Sequence, residues 1–170
     1  YQGEASEFRG GNRGEPSGHL APTAFINFLQ NHDQIGNRAL GDRLESVADA
    51  RAIEAALAVL LIAPGIPMLF MGEEWGSKAP FPFFCDFGGD LADAVRKGRR
   101  VELAWAYAEY GDEVPDALAA STREAAVLDW DGREASAARK RLTLVKDLLK
   151  VRREQILPRL AGAAFGEAHA

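Results

Sequence analysis

Two short apolar runs, each ending abruptly in polar residues, frame the middle of the chain. Ala24 to Gln30 (Ala-Phe-Ile-Asn-Phe-Leu-Gln) is aromatic and β-branched, which predicts a largely buried strand, and it runs into Asn31-His32-Asp33-Gln34. Ile66 to Met71 repeats the pattern and runs into Gly72-Glu73-Glu74-Trp75-Gly76. Between them an Ala- and Leu-rich stretch reaching Ile62 predicts a helix that Pro64-Gly65 closes. Its start reads as a weak capping box at Ser46-Val47-Ala48-Asp49, in which the Ser46 hydroxyl and the Asp49 carboxylate satisfy first-turn amides. Two apolar strands separated by an amphipathic helix are expected to be parallel neighbours joined by a right-handed crossover.

The flanks carry weaker patterns. Residues 1–23 hold five glycines and two prolines without apolar periodicity, so they read as a long loop. Residues 77–136 read as a long excursion with short helical patches. A last helix is expected over 137–157, with Leu142, Val145, Leu148, Leu149 and Ile156 on one face and Pro158 as its stop. The basic run Lys146 to Arg153 on that helix reads as a solvent face. The start at Tyr1 without methionine, and the small-residue tail Ala161 to Ala170, suggest a piece of a longer polypeptide. The order β-α-β-loop-α fits a slice of an α/β sheet or barrel.

Composition narrows the chemistry. With 170 residues, 47% hydrophobic and 26% charged, the chain is long and apolar enough for one domain with a core. A formal charge of -5 and a pI near 5.3 argue against nucleic acid, whose binding rests on Lys and Arg neutralising phosphates. The single cysteine, Cys85, forms no internal disulfide, and no leader pattern opens the chain, so a reducing, cytoplasmic setting is expected. The most apolar run, Ala55 to Ala63, is far shorter than the roughly 20 residues a membrane-spanning helix needs, and no membrane partner is expected. His32 has no second His or Cys at ligand spacing, because His19 lies in a loop and His169 in the tail. No metal or cofactor is expected. Gly10-Gly11-Asn12-Arg13-Gly14 follows no strand and lacks the Gly-Lys-Ser/Thr of a phosphate loop.

In parallel α/β folds ligands are met at the C-terminal ends of strands, where both polar clusters fall. Asp33 with His32 suits the holding of sugar hydroxyls and the shielding of an anomeric carbon. The same Asn31-His32-Asp33 string also suits an Asx turn or a cap. Glu73 and Glu74 fit either substrate contact or a buried structural carboxylate paired with an arginine. Trp75, Phe81, Phe83, Phe84 and Phe87 suit stacking on sugar rings or the underside of a long loop. Arg99 and Arg100 suit substrate hydroxyls, an acidic loop or a solvated surface.

Phe25 to Gln34 resembles the seventh-strand motif of the α-amylase superfamily, glycoside hydrolase family 13, and Pro67 to Glu74 resembles its eighth strand. Tyr1-Gln2-Gly3 with Arg9-Gly10, Leu29 to Arg38, Phe70 to Gly76, Pro80-Phe81 and Gly98-Arg99-Arg100 are similar, more narrowly, to the malto-oligosyltrehalose trehalohydrolase family within it. The resemblance implies a partial (β/α)8 TIM barrel of class α/β, with strands 7 and 8 and their helices. The layout would be 1–157 as the C-terminal portion of the catalytic domain (1–23 loop, 24–76 βαβ, 77–136 long loop, 137–157 last helix) and 158–170 as the start of a β-domain. It further implies retaining cleavage of the α-1,4 bond beside the terminal trehalose of maltooligosyl trehalose. Asp33 would be the third catalytic carboxylate, and His32, Asn31, Gln34, Trp75 and Phe81 would meet substrate. The nucleophile and the acid/base would lie upstream of Tyr1, so this chain alone is expected to be inactive. Phe83 and Phe87 depart from the family pattern, which has a tyrosine and often a histidine there. A branching or debranching relative, and a non-catalytic sugar-binding scaffold on the same barrel, are the alternatives.

Overall fold

The computed structural model describes residues 2–164. The chain opens on an antiparallel hairpin of β1 (Gln2–Ser6) and β2 (Gly11–Gly14), joined by a 3-10 turn. This corrects the loop expected over residues 1–23 for its first part; residues 15–21 carry no helix or strand, and a 3-10 turn follows at Pro22–Ala24. Alternation was too weak to reveal the hairpin, because glycines occupy both ends of β2 and all four of its residues are exposed.

The parallel pair is present. β3 (Ile26–Asn27) pairs with β4 (Ile66–Pro67), Ile26 opposite Ile66 and Asn27 opposite Pro67. Ile66 N–H donates to the Phe25 carbonyl at 3.0 Å and Met68 N–H to the Asn27 carbonyl at 2.8 Å. These bonds flank Pro67, whose missing N–H is not required by the ladder. The strands are shorter than the apolar runs and less buried than expected: Ile26 is 61% and Ile66 46% exposed. Among the described residues no further strand joins this pair, so each strand keeps an open edge.

After β3 come α1 (His32–Gly36), α2 (Leu44–Val47) and the crossover helix α3 (Ala50–Ile62). The cap of α3 is Asp49 alone. Its carboxylate accepts from Arg51 N–H and Ala52 N–H, whereas Ser46 lies inside α2. The excursion holds α4 (Gly89–Glu102), α5 (Ala104–Tyr110) and α6 (Ala120–Ala125), followed by α7 (Ser136–Val151), which runs into a π-helical turn over Arg152–Ile156. Of the stretch 158–170, residues 165–170 lie outside the described residues, and Leu157–Arg159 form a 3-10 turn.

The crossover helix buries Leu57, Leu60 and Leu61 against Val145 of α7, with Leu29, Leu69 and Leu148 around them. Each such leucine contributes about 1.5–3 kcal/mol of burial. The last helix is not a uniform solvent face on its basic side. Arg152 is buried, and its guanidinium donates to the carbonyls of Leu61, Ala63 and Gly65. It thereby satisfies the end of α3 and the turn into β4, groups that the helix itself leaves without partners.

Candidate functional site

Just past β3, Asn31 starts α1 with a reciprocal capping box. Its side-chain oxygen accepts from Asp33 N–H (2.9 Å) and Gln34 N–H (3.1 Å), while the Gln34 side-chain oxygen accepts from Asn31 N–H (3.0 Å). Two of the expected substrate contacts, Asn31 and Gln34, thus have their side-chain oxygens committed to the backbone. The two residues between them do not. His32 and Asp33 have side chains 68% and 73% exposed, with His32 Nε2 3.2 Å from Asp33 Oδ1.

Both line a groove of about 330 Å³ with Gly36, Asn37, Phe81, Pro82, Phe83 and Phe84. Asp33 is the one carboxylate among the described residues that line it. The aromatic wall is braced by edge-on contacts, with ring centroids 5.1 Å apart for Phe70 and Phe81 and 5.5 Å for Phe81 and Phe84. Helix and wall meet closely: a Cβ on Gly36 would lie 3.5 Å from Phe83 N.

Trp75 stands apart from this groove. It is 5% exposed and packs with Leu128, Ala138 and Trp130, so its indole belongs to a hydrophobic cluster, contrary to its place among the expected substrate contacts. The left-handed Gly72 (φ 88°) turns the chain inward there, where a Cβ would meet Ser77 and Leu128 within 2.9 Å.

Three buried groups behind the site escaped the sequence reading. Gln30 is 1% exposed, donating to Glu45 at 3.1 Å and accepting from Leu44 N–H at 3.0 Å, which anchors the residue before Asn31. Arg43 is wholly buried and donates to the carbonyls of Met71 and Ala79, with its guanidinium 5.0 Å from the Phe70 ring centroid. Arg141 is buried with Glu45 4.0 Å away, and the half-exposed Glu54 lies at the same distance. Their partners lie far off in sequence, and no local pattern announces them. Arg99, expected on substrate hydroxyls, on an acidic loop or at a solvated surface, donates to the Gly36 carbonyl (3.1 Å), the Asn37 side chain (3.0 Å) and Glu102 of its own helix (2.7 Å), and its guanidinium lies 4.9 Å from the Phe83 ring centroid. Arg100 lies over Tyr107.

Glu73, 1% exposed, accepts from Phe70 N–H at 2.8 Å. Burial pushes its carboxyl up to about 7, against the Phe70 hydrogen bond and the attraction of Arg43, with Glu45 and Glu74 adding to the rise. The same burial draws the Arg43 guanidinium down from its ordinary value, against the attraction of Glu45, Glu73 and Glu74. Glu73 is thus the buried structural carboxylate of the acidic pair, set beside an arginine without a close ion pair. Among the described residues no group of three or more His, Cys, Asp or Glu is placed to hold a metal ion, and no helix is long and apolar enough to cross a membrane.

No family model matches the chain. It is 40% identical over 156 residues to the malto-oligosyltrehalose trehalohydrolase of Deinococcus radiodurans, a match covering 91% of this chain and 26% of the relative. It is 37% identical over 155 residues to that of Saccharolobus solfataricus, covering 91% of this chain and 25% of the relative. A crystal structure described as a "Putative alpha Amylase" from Salmonella typhimurium superposes with a TM-score of 0.85 at 46% identity, over 96% of this chain and 27% of that one. The chain spans about a quarter of the length of the curated relatives it matches. Over nine-tenths of its length, this chain is therefore homologous to a segment of the malto-oligosyltrehalose trehalohydrolases.

Proposed function

We propose that the chain supplies one part of a retaining α-glucosidase site that cleaves the α-1,4 bond beside the terminal trehalose of maltooligosyl trehalose. Asp33 carries the reading: its exposed carboxylate stands in an aromatic-walled groove just beyond a parallel strand pair, while its neighbours Asn31 and Gln34 spend their side chains on the cap. Retaining cleavage uses two carboxylates on either side of the scissile bond, one as nucleophile and one as acid/base. Among the described residues Asp33 is the groove's single carboxylate, which suits a third role: accepting hydroxyl hydrogen bonds and stabilising the oxocarbenium-like transition state. The nucleophile and the acid/base then come from other parts of a longer polypeptide.

In this reading β3 and β4 are the seventh and eighth strands of a (β/α)8 barrel, residues 1–157 belong to that barrel, and 158–170 lead into a following domain. His32, whose Nε2 lies 3.2 Å from Asp33 Oδ1, hydrogen-bonds the same sugar, and Phe81 presents an aromatic face to it. The names of the relatives at 35–40% identity support the substrate assignment. A soluble, cytoplasmic enzyme of trehalose production is the matching setting.

The test is Asp33→Asn in the full-length protein, assayed on maltooligosyl trehalose. Turnover is expected to fall about 10²–10³-fold, the size typical of losing one transition-state contact, with melting unchanged. Near-normal turnover would overturn the role of Asp33. Product analysis separates the reading from a branching or debranching relative, since clean release of trehalose is expected only here. Glycosidase activity from the 170-residue chain alone would contradict the one-part reading.

A further inference from the structure

Arg43 does not line the groove, yet one of the groove's wall residues, Phe81, is tied to it through Phe70. Its Nε–H donates to the Ala79 carbonyl and its NH1 to the Met71 carbonyl at 2.7 Å, so one guanidinium closes the turn of residues 71–79 at both ends. Its centre sits 5.0 Å from the Phe70 ring centroid, and Phe70 meets Phe81 edge-on at 5.1 Å. Two residues before it, the Gly41 carbonyl accepts from Phe81 N–H at 2.8 Å. Gly41 (φ 71°) permits that approach, since a Cβ there would come within 2.6 Å of Pro82 Cα.

We infer that Arg43 is a positioning residue for substrate: it sets the Phe81 wall against the helix that carries Asp33. The inference rests on the reading of the groove as a sugar site. Asp33 itself is placed by the Asn31 cap, which Arg43 does not touch, so the two supports are separable. Losing Arg43 then shifts binding more than the chemical step. Lysine does not replace it, because a single ammonium lacks the planar fork that spans two carbonyls and stacks on a ring.

The experiment compares Arg43→Lys, Phe81→Ala and the double variant in the full-length protein, with maltooligosyl trehalose as substrate. Arg43→Lys is expected to raise KM about tenfold with kcat within about twofold, a modest instance of what misplaced binding groups cost. The double variant is expected to match Phe81→Ala alone, because Arg43 acts through that ring. An unchanged KM in Arg43→Lys, or KM effects that multiply, would overturn the inference. Should Arg43→Lys fail to fold, Phe70→Leu breaks the same path while leaving the guanidinium and its bonds to Met71 and Ala79 in place. The expected rise in KM with kcat spared supports the inference, and wild-type kinetics from Phe70→Leu overturn it. Hydrogen exchange at the Phe81 amide is a readout independent of activity. Faster exchange in Arg43→Lys than in the parent supports the inference, and equal protection refutes it, even if the parent proves inactive on this sugar and the proposed function fails.

Discussion

The Arg99 guanidinium donates to the Gly36 carbonyl at 3.1 Å, fastening the excursion helix α4 to the last turn of the helix that carries Asp33. The same side chain reaches Asn37 at 3.0 Å, lies 4.9 Å from the Phe83 ring centroid and pairs with Glu102 at 2.7 Å. A helix of five residues has little stability of its own, so its orientation depends on such ties.

Arg99→Leu removes the bond to Gly36 and the face-on contact with Phe83 together. Hydrogen bonds from a charged donor are worth roughly 1.5–3 kcal/mol, and urea unfolding of the variant is expected to show a loss in that range. A loss below about 0.5 kcal/mol, the scale of an ordinary surface change, would show that the tie is not a support.

Glu73 makes stability depend on pH in an unusual direction. Its folded pKa, about 7, lies above its ordinary 4.5, so between those values the folded chain holds a proton that the unfolded chain releases. The stability from the neutral carboxyl is complete below the unfolded value and is lost as pH rises through about 7. Glu73→Gln keeps an acceptor for Phe70 N–H without a charge beside Glu45 and Glu74. Relative to the parent it is expected to be more stable by roughly 1–3 kcal/mol at pH 8, with most of that gain gone near pH 4.5. Chemical denaturation at both pH values measures this, and an equal difference at the two would sink it.

Asp49 and Ser46 separate cleanly by mutation. Asp49→Ala removes the α3 cap and is expected to cost about 1 kcal/mol, while Ser46→Ala stays within about 0.5 kcal/mol. Thermal melts of the two variants decide which residue starts the helix.

Arg152→Met keeps length and apolar stem but leaves the carbonyls of Leu61, Ala63 and Gly65 without their donor. A loss of roughly 3 kcal/mol or more in unfolding free energy is expected. Arg153→Met, one residue on and largely exposed, is the control and should be near neutral.

Much of the central βαβ unit was legible in the chain itself. The parallel pairing, a crossover helix ending at Ile62, a long last helix and the place of Asp33 just past a strand all follow from apolar runs and their punctuation. Such patterns are local, because a helix or strand writes its period into consecutive residues. The opening hairpin was hidden because its second strand is glycine-rich and exposed throughout and so carries no alternation. Trp75 misled for the opposite reason: an aromatic after a strand looks the same whether it faces a ligand or a core, and only the packing of Leu128, Ala138 and Trp130 around it chooses.

The arginines mark the boundary most clearly. Sequence by itself determined only that Arg43, Arg99, Arg141 and Arg152 are long, charged donors. Tertiary structure alone decided that Arg43 closes the 71–79 turn, that Arg152 completes the end of α3 and that Arg99 braces the helix of Asp33. The reason is physical: the cost of taking a guanidinium out of water is offset by fixed acceptors, and the carbonyls that Arg43, Arg99 and Arg152 reach lie 28 to 91 residues away, brought near by the fold.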